Sequence, residues 1–327
     1  MNSASRTAQT ASGPDAGNPR PGGHVAILLA SYDGAAFIDR QLASFLEQDH
    51  TDWSLWVGDD GSQDATRDRV RAFASRAGAR AVTVLDGPRR GSFQNFMQLL
   101  CNPGIDADFV ALSDQDDAWL PQHLSRALAQ IAIADDSRPV LYGGRTIVTD
   151  DRLERRGTSP LFVRTPGFRN ALVQNISGGN TMVLNRAARS IVMRAGPPDD
   201  AVCHDWWLYQ LLSGAGARII YDAEPTVLYR QHGGNQIGSN LGRLAQLNRI
   251  AGLVGGRYRN WNLRNLAALE GACGLLTEEN AGILEGFARL RSLRGSAAVR
   301  TLRDLGLYRQ TAAGQLSLKF AAWAGLL

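Results

Sequence analysis

The sequence predicts an α/β layered fold, a mostly parallel sheet flanked by helices. Strand-like and helix-like stretches alternate from residue 24 to about residue 145. The first strand-like stretch is apolar on both faces, as in the middle of a covered parallel sheet. Polar clusters follow three of the strands at their carboxyl ends, where open α/β sheets bind ligands.

The elements follow in chain order. "HVAILLASY" has no polar face and reads as a central strand. Residues 37–47 form a helix, and "WSLWV" is the second strand. "DDGSQDAT" turns the chain, with Ser62 or Asp64 as N-cap of a helix reaching about Ala77. "AVTVL" is the third strand, "SFQNFMQLL" the next helix and "FVAL" the fourth strand. Pro121, a helix-start residue, precedes another helix, and "VLYGG" follows as a strand. Right-handed crossovers would join these units. Beyond residue 145 the alternation weakens. "RTIVTDDRLERRG" reads as a hairpin, "NTMVLNR" as a strand and "HDWWLYQLLSG" as a helix closed by Gly214. "RIIYD" and "TVLYR" read as two further strands, and from Leu241 the pattern is helical, broken by Gly pairs. The C-terminal "LKFAAWAGLL" either packs on the body or rests on a membrane face. The expected organisation is a disordered tail over residues 1–23, an α/β domain over 24–240 and a helical C-terminal extension over 241–327.

Composition narrows the function classes. The chain has 327 residues, 44% hydrophobic and 20% charged, an ordinary globular profile. A net charge of +4 does not imply nucleic acid binding, and no nucleic acid partner is expected. Arginines crowd after Asp150, which suits anionic substrates or an anionic membrane surface. Cys101, Cys203 and Cys273 show no metal-binding spacing and suit a reducing compartment. The first 23 residues contain no apolar signal core, and no apolar run reaches the length of a membrane span. A cytosolic chain is expected.

The densest chemistry lies in "FVALSDQDDAWLP", where an apolar strand ends in Asp114, Asp116 and Asp117. Two like charges about 4 Å apart repel by roughly 1 kcal/mol in water and roughly 4 kcal/mol at an effective dielectric near 20. Something must neutralise them. If the chain stays extended, Asp114 and Asp116 face one site, while Asp117 faces away and caps the next turn. Two convergent carboxylates suit Mg²⁺ or Mn²⁺, which takes further ligands from water and substrate phosphates.

The segments "VAILLASYDG", "VGDDGSQDAT" and "LSDQDDAWLP" resemble the family-2 glycosyltransferases of GT-A fold. "SGGNTMVLNR", "HDWWL" and "LYRQHGGN" resemble the bacterial subgroup that includes many rhamnosyltransferases, and the likeness spans roughly residues 24–240. Gly179–Asn180 departs from the family pattern, which has a small polar residue or Cys before the Thr. The resemblance implies a nucleotide-diphosphate sugar donor, with dTDP-rhamnose as the subgroup's donor. It also implies transfer to a growing surface polysaccharide or lipid-linked glycan at the inner face of the membrane. By the same resemblance, Ala30, Ser31 and Tyr32 line the nucleotide, and Asp60 accepts from the base imide, while Asp59 is structural. Asp114, with Gln115 beside it, faces the donor ribose or a metal-bound water, and Asp116 binds the metal.

Asp205 is the candidate general base for an inverting transfer, with Trp206 and Trp207 excluding water or stacking on sugar. His232 completes the metal shell or touches the diphosphate, Arg230 pairs with phosphate charge, and Asn95 contacts the nucleotide from its helix. Gly233–Gly234 reads as a loop closing over bound donor. A sugar nucleotidyltransferase would need a basic, Gly-rich loop after the first strand, and a dinucleotide oxidoreductase a G-x-G-x-x-G; neither is present. The alternative from another class is a non-catalytic sugar-nucleotide binder or scaffold. It would have no use for Asp114, Asp116 and Asp205 together.

Overall fold

The computed structural model describes residues 22–134, 137–233 and 256–327. Residues 1–21 of the tail expected over 1–23, the expected domain boundary at 240, Leu241 and Gly234 lie outside the described residues.

Four parallel strands form the frame: β1 (Val25–Ser31), β2 (Trp53–Asp59), β3 (Val82–Asp86) and β4 (Phe109–Asp114). They lie side by side in the order β3-β2-β1-β4. Every residue of β1 is buried, as its two-sided apolarity requires. The register pairs Ala30 with Asp114 and Ser31 with Asp59, so three strand tips meet at one edge of the sheet. Helices α1 (Ile38–Leu46) and α2 (Thr66–Ala74) contribute to the core on one face, and α3 (Ser92–Leu100) to the core on the other. Neither expected cap precedes α2 directly. Its N-cap is Ala65, while the Asp64 carboxylate accepts from the N–H groups of Thr66 and Ala35, tying the helix start to the turn after β1.

Beyond β4 come β5 (Ala118–Trp119), α4 (His123–Ile133), β6 (Val140–Thr149) and β7 (Arg155–Thr158). The last two form the expected antiparallel hairpin. Helix α5 (Phe168–Ala171) and a 3-10 turn (Gly179–Thr181) lead to β8 (Val183–Asn185), α6 (Arg186–Ala195), α7 (His204–Gly214) and β9 (Arg218–Arg230). The sheet continues through antiparallel β8 to β6, then β9, then β5.

One expectation needs correction here. "RIIYD" and "TVLYR" belong to one strand, β9. Its ladder with β6 shifts register between Gly144 and Thr146, opposite the stretch of β9 that holds Pro225, which has no N–H to donate. Helix α7 ends at Gly214, as expected, but Gly214 keeps helical backbone, and an added Cβ there would come within 2.7 Å of Leu276. Gly216, at φ +80°, takes the left-handed turn instead.

The C-terminal helices are α8 (Arg257–Gly271), α9 (Glu278–Leu290), α10 (Gly295–Asp304) and α11 (Ala312–Ala324). Leu269, Phe287, Leu302 and Leu318 join the same core as α3, α6 and α7. The terminal apolar segment does pack on the body, through Leu318, Ala321 and Ala322. Its larger side chains, Leu316, Phe320 and Trp323, are exposed. Among the described residues, no helix is long and apolar enough to cross a membrane.

Candidate active site

The site forms where β1, β2 and β4 end and where β9 returns. Asp59 and Asp60 divide the labour at the tip of β2. Asp59 is buried and accepts from Ser31 Oγ, Ser62 N–H and Ser62 Oγ, so it builds the turn, as expected. Asp60 accepts from the backbone N–H groups of Arg89 (2.6 Å) and Gly91 (2.7 Å), one on each oxygen. It therefore holds the 87–91 loop over the sheet edge. Ala30 and Ser31 are buried strand residues, whereas the Tyr32 ring stands in solvent at the mouth. Gln115 clamps the Tyr32 backbone from both sides, accepting from its N–H at 2.9 Å and donating to its carbonyl at 2.8 Å.

The acidic cluster is fixed by the short ladder between β5 and β9, with Ala118 opposite Leu228. Just beyond it, Arg230 N–H donates to Asp117 at 3.0 Å, and Asn180 Nδ2 donates to the other Asp117 oxygen. Asp117 thus faces inward, fully buried, and joins β9 to the 3-10 turn; it does not cap the following turn. Burial, and then the Asp116 charge, push its pKa up to about 8 despite these hydrogen bonds. Asp116 points the other way and meets His232 Nε2 at 2.7 Å. The His232 ring rests on Phe37, centroids 4.5 Å apart. Asp114 is held well above the usual carboxylate range by burial first, then by the charges of Asp117, Asp116 and Asp205. That last contribution means that the Asp205 carboxylate, from α7, lies within electrostatic reach of Asp114.

Asp205 sits in the first turn of α7, half-buried, its Oδ1 accepting from Trp206 N–H at 2.7 Å. The neighbouring Cys203 thiol, hydrogen-bonded to Asp205, is pushed well above its usual range by burial first and then by that carboxylate. His204 is buried and stacks on Phe96 at 4.0 Å. Gly179 lies against it so closely that a Cβ there would be 1.9 Å from His204 Nε2. This contact seats the 3-10 turn beside Asp205.

Other expected site residues have different surroundings. Asn95 is 1% exposed and donates to the Gly58 carbonyl at 2.7 Å, pinning α3 under the sheet rather than facing the nucleotide. Trp206 and Trp207 are core residues, Trp206 donating its indole N–H to the Ala171 carbonyl, so neither offers a face to sugar. Arg230 is 6% exposed; its guanidinium donates to the carbonyls of Asp116 and Asp151 and lies over Phe37 at 4.8 Å. It braces the Asp116 loop from behind. The sequence marks Asn180 only as a departure from the family pattern and Cys203 only as a cysteine without metal-binding spacing, so neither is expected at the site.

Among the described residues, no group of three or more His, Cys, Asp and Glu closes around a metal. The Asp116–His232 pair, one oxygen and one nitrogen donor, nevertheless fits an open site for Mg²⁺ or Mn²⁺ that takes its other ligands from phosphate and water.

A family profile described as Glycosyl transferase family 2 matches residues 26–192, just over half of the chain. The dTDP-rhamnosyl transferase RfbG of Shigella flexneri is 26% identical over 254 residues, 73% of this chain and 83% of that protein. The UDP-Glc:alpha-D-GlcNAc-diphosphoundecaprenol beta-1,3-glucosyltransferase WfgD of Escherichia coli is 24% identical over 163 residues, 50% of this chain and 60% of that protein. Among solved structures, the mannosyltransferase PcManGT of Pyrobaculum calidifontis, in complex with GDP-Man and Mn²⁺, superposes with a TM-score of 0.50 at 18% identity, covering 95% of this chain and 89% of that one. TarS 1-349 of S. aureus superposes with a TM-score of 0.52 at 16% identity, covering 86% and 90%. At these identities the superpositions establish the shared fold.

Proposed function

The chain belongs to glycosyl transferase family 2 and has the GT-A fold, and from that premise we propose that it is an inverting, metal-dependent transferase. It moves a sugar from a nucleotide-diphosphate donor to a hydroxyl of a lipid-linked or growing surface glycan. The observation that carries this reading is that Asp205, on α7, lies within electrostatic reach of Asp114 at the end of β4, with Asp116 two residues further along the same loop. In the proposed mechanism, Asp205 takes the proton of the acceptor hydroxyl as that oxygen attacks the anomeric carbon, and the nucleoside diphosphate departs from the opposite face. Asp116 and His232 would hold a divalent cation, Mg²⁺ or Mn²⁺, which when bound supplies positive charge to the leaving diphosphate.

Tyr32 offers a ring to the base, and Asp60, with a lone pair left on each oxygen, accepts from the imide N–H. Asp114, its pKa raised by burial first and then by its acidic neighbours, faces the ribose or a bound water. Resemblance to the Shigella relative supports L-rhamnose from dTDP-rhamnose as the donor sugar, and the name of the E. coli relative supports a diphospho-lipid acceptor. The transferase domain is taken as residues 24–240 and the extension as 241–327, with the enzyme on the cytoplasmic side and in peripheral contact with the membrane.

A thermal-shift panel of nucleotide sugars with and without Mn²⁺ tests the donor, because a ligand at a hundredfold its Kd stabilises by about 2.7 kcal/mol. Asp205→Asn then separates enzyme from scaffold. Donor binding should persist while transfer falls by about 10² or more, the scale of a lost general base. Unchanged turnover removes Asp205 from the mechanism.

A further inference from the structure

Helix α11 has two opposed apolar faces, and only one is covered. Leu318, Ala321 and Ala322 lie in the core, while Leu316, Phe320 and Trp323, spaced at helical intervals on the other side, are 71%, 54% and 58% exposed. The Phe320 and Trp323 rings stack on each other with centroids 6.3 Å apart. Three large apolar side chains gathered on one face of one short helix mark a surface that meets something.

The charge around this face identifies its occupant. Lys319, the only lysine in the chain, lies on the same helix. With Arg164 and Arg303 it lines a groove of about 320 Å³ between α10 and α11, floored in part by Tyr308. Arg164 lies over the Tyr308 ring at 4.0 Å, which holds its guanidinium at the groove. Residues 257–327 carry nine arginines and one lysine against five acids, a surplus larger than the net +4 of the whole chain. Two copies of such a surface would repel. An anionic bilayer would not: its headgroup phosphates match the guanidinium and ammonium groups, and its interface takes Trp and Phe side chains.

We propose that the outer face of α11 and the adjoining α10–α11 groove form a docking surface for an anionic phospholipid bilayer. Phe320 and Trp323 enter the headgroup boundary, and Lys319, Arg303 and Arg164 pair with phosphate. The role of this contact rests on the transferase reading, since it brings the enzyme to a lipid-linked acceptor; the contact itself is measured separately.

The test is flotation of the full chain with vesicles of phosphatidylcholine alone or with one-third phosphatidylglycerol, at low and high salt. The chain should float with the anionic vesicles only, and high salt should release it. Phe320→Ser with Trp323→Ser should weaken binding by at least ~10-fold, and Lys319→Gln by about 5-fold. Because these side chains are exposed, the variants should keep the wild-type melting temperature. Wild type that ignores anionic vesicles overturns the proposal, as does a double variant that binds as well as wild type. A wild-type dimer that the double variant converts to monomer assigns the face to a second copy instead. Donor-induced thermal shift on the same preparation separates the two readings. A shift without flotation removes the docking surface alone, and flotation without a shift removes the transferase reading alone.

Discussion

Replacing Arg230 distinguishes a brace from a phosphate ligand. The side chain is 6% exposed and donates from Nε to the Asp116 carbonyl at 2.7 Å and from a terminal nitrogen to the Asp151 carbonyl. Hydrogen bonds from a charged group contribute about 1.5–3 kcal/mol each, and the stack on Phe37 about 1 kcal/mol. Truncation also removes the buried cation that acts on Asp117 and Asp116, a loss that in buried settings costs about 3–5 kcal/mol in total. Arg230→Ala should therefore destabilise by about 3–5 kcal/mol, a fall in Tm of roughly 10 °C for a chain of this size. Arg230→Lys keeps the charge but not the fork, so it should recover about half of the loss. Thermal melts of the ligand-free proteins, followed by donor titration below the melting range, give both quantities. An Arg230→Ala protein that melts with wild type yet binds donor at least ~10-fold more weakly would refute the brace and put the guanidinium on phosphate.

Chelation should abolish transfer and Mn²⁺ should restore it, while His232→Ala raises the Mn²⁺ needed for half-maximal activity by about 10-fold or more; a flat metal titration in that variant would remove His232 from the metal. Gly179→Ala forces a methyl into His204 and should cost about 1–3 kcal/mol. Adding His204→Ala should return part of that loss, and strict additivity in the denaturant midpoints would show that the two do not touch. Burial depresses the His123 pKa to about 3, against about 6.5 when unfolded. The unfolded chain therefore takes up the proton first: the His123 contribution is intact above about pH 6.5 and drains by about 1.4 kcal/mol per pH unit below it. Urea midpoints at pH 7.5 and 5 should fall less in His123→Gln than in wild type, and equal falls would refute the assignment.

The parallel frame was legible because β1, β2 and β4 carry their apolar runs and their acidic tips in local sequence. The pairings that finish the site were not. Asp117 looked like a turn cap because its partners, Asn180 and Arg230, lie 63 and 113 residues away. Arg230 looked free for phosphate because its acceptors are backbone carbonyls, which leave no mark in sequence. Trp206 and Trp207 misled for another reason. Helix α7 is buried on every side from Trp206 onward, so periodicity cannot say which aromatic faces a cavity. "RIIYD" and "TVLYR" read as separate strands because the stretch between them, which holds Pro225, lies where the β6–β9 register shifts within one strand.

Strand β9 is the last of the sheet to be synthesised, yet it lies inside, between β6 and β5. A nascent chain that has not reached residue 218 must leave the β6 edge open and β5 unpaired. Such an edge invites pairing with another polypeptide, and its closure waits on contacts far apart along the chain. His232 follows directly after this late strand. If His232 holds the metal as proposed, metal competence and sheet completion coincide in time, and a truncated translation product would be both aggregation-prone and inert.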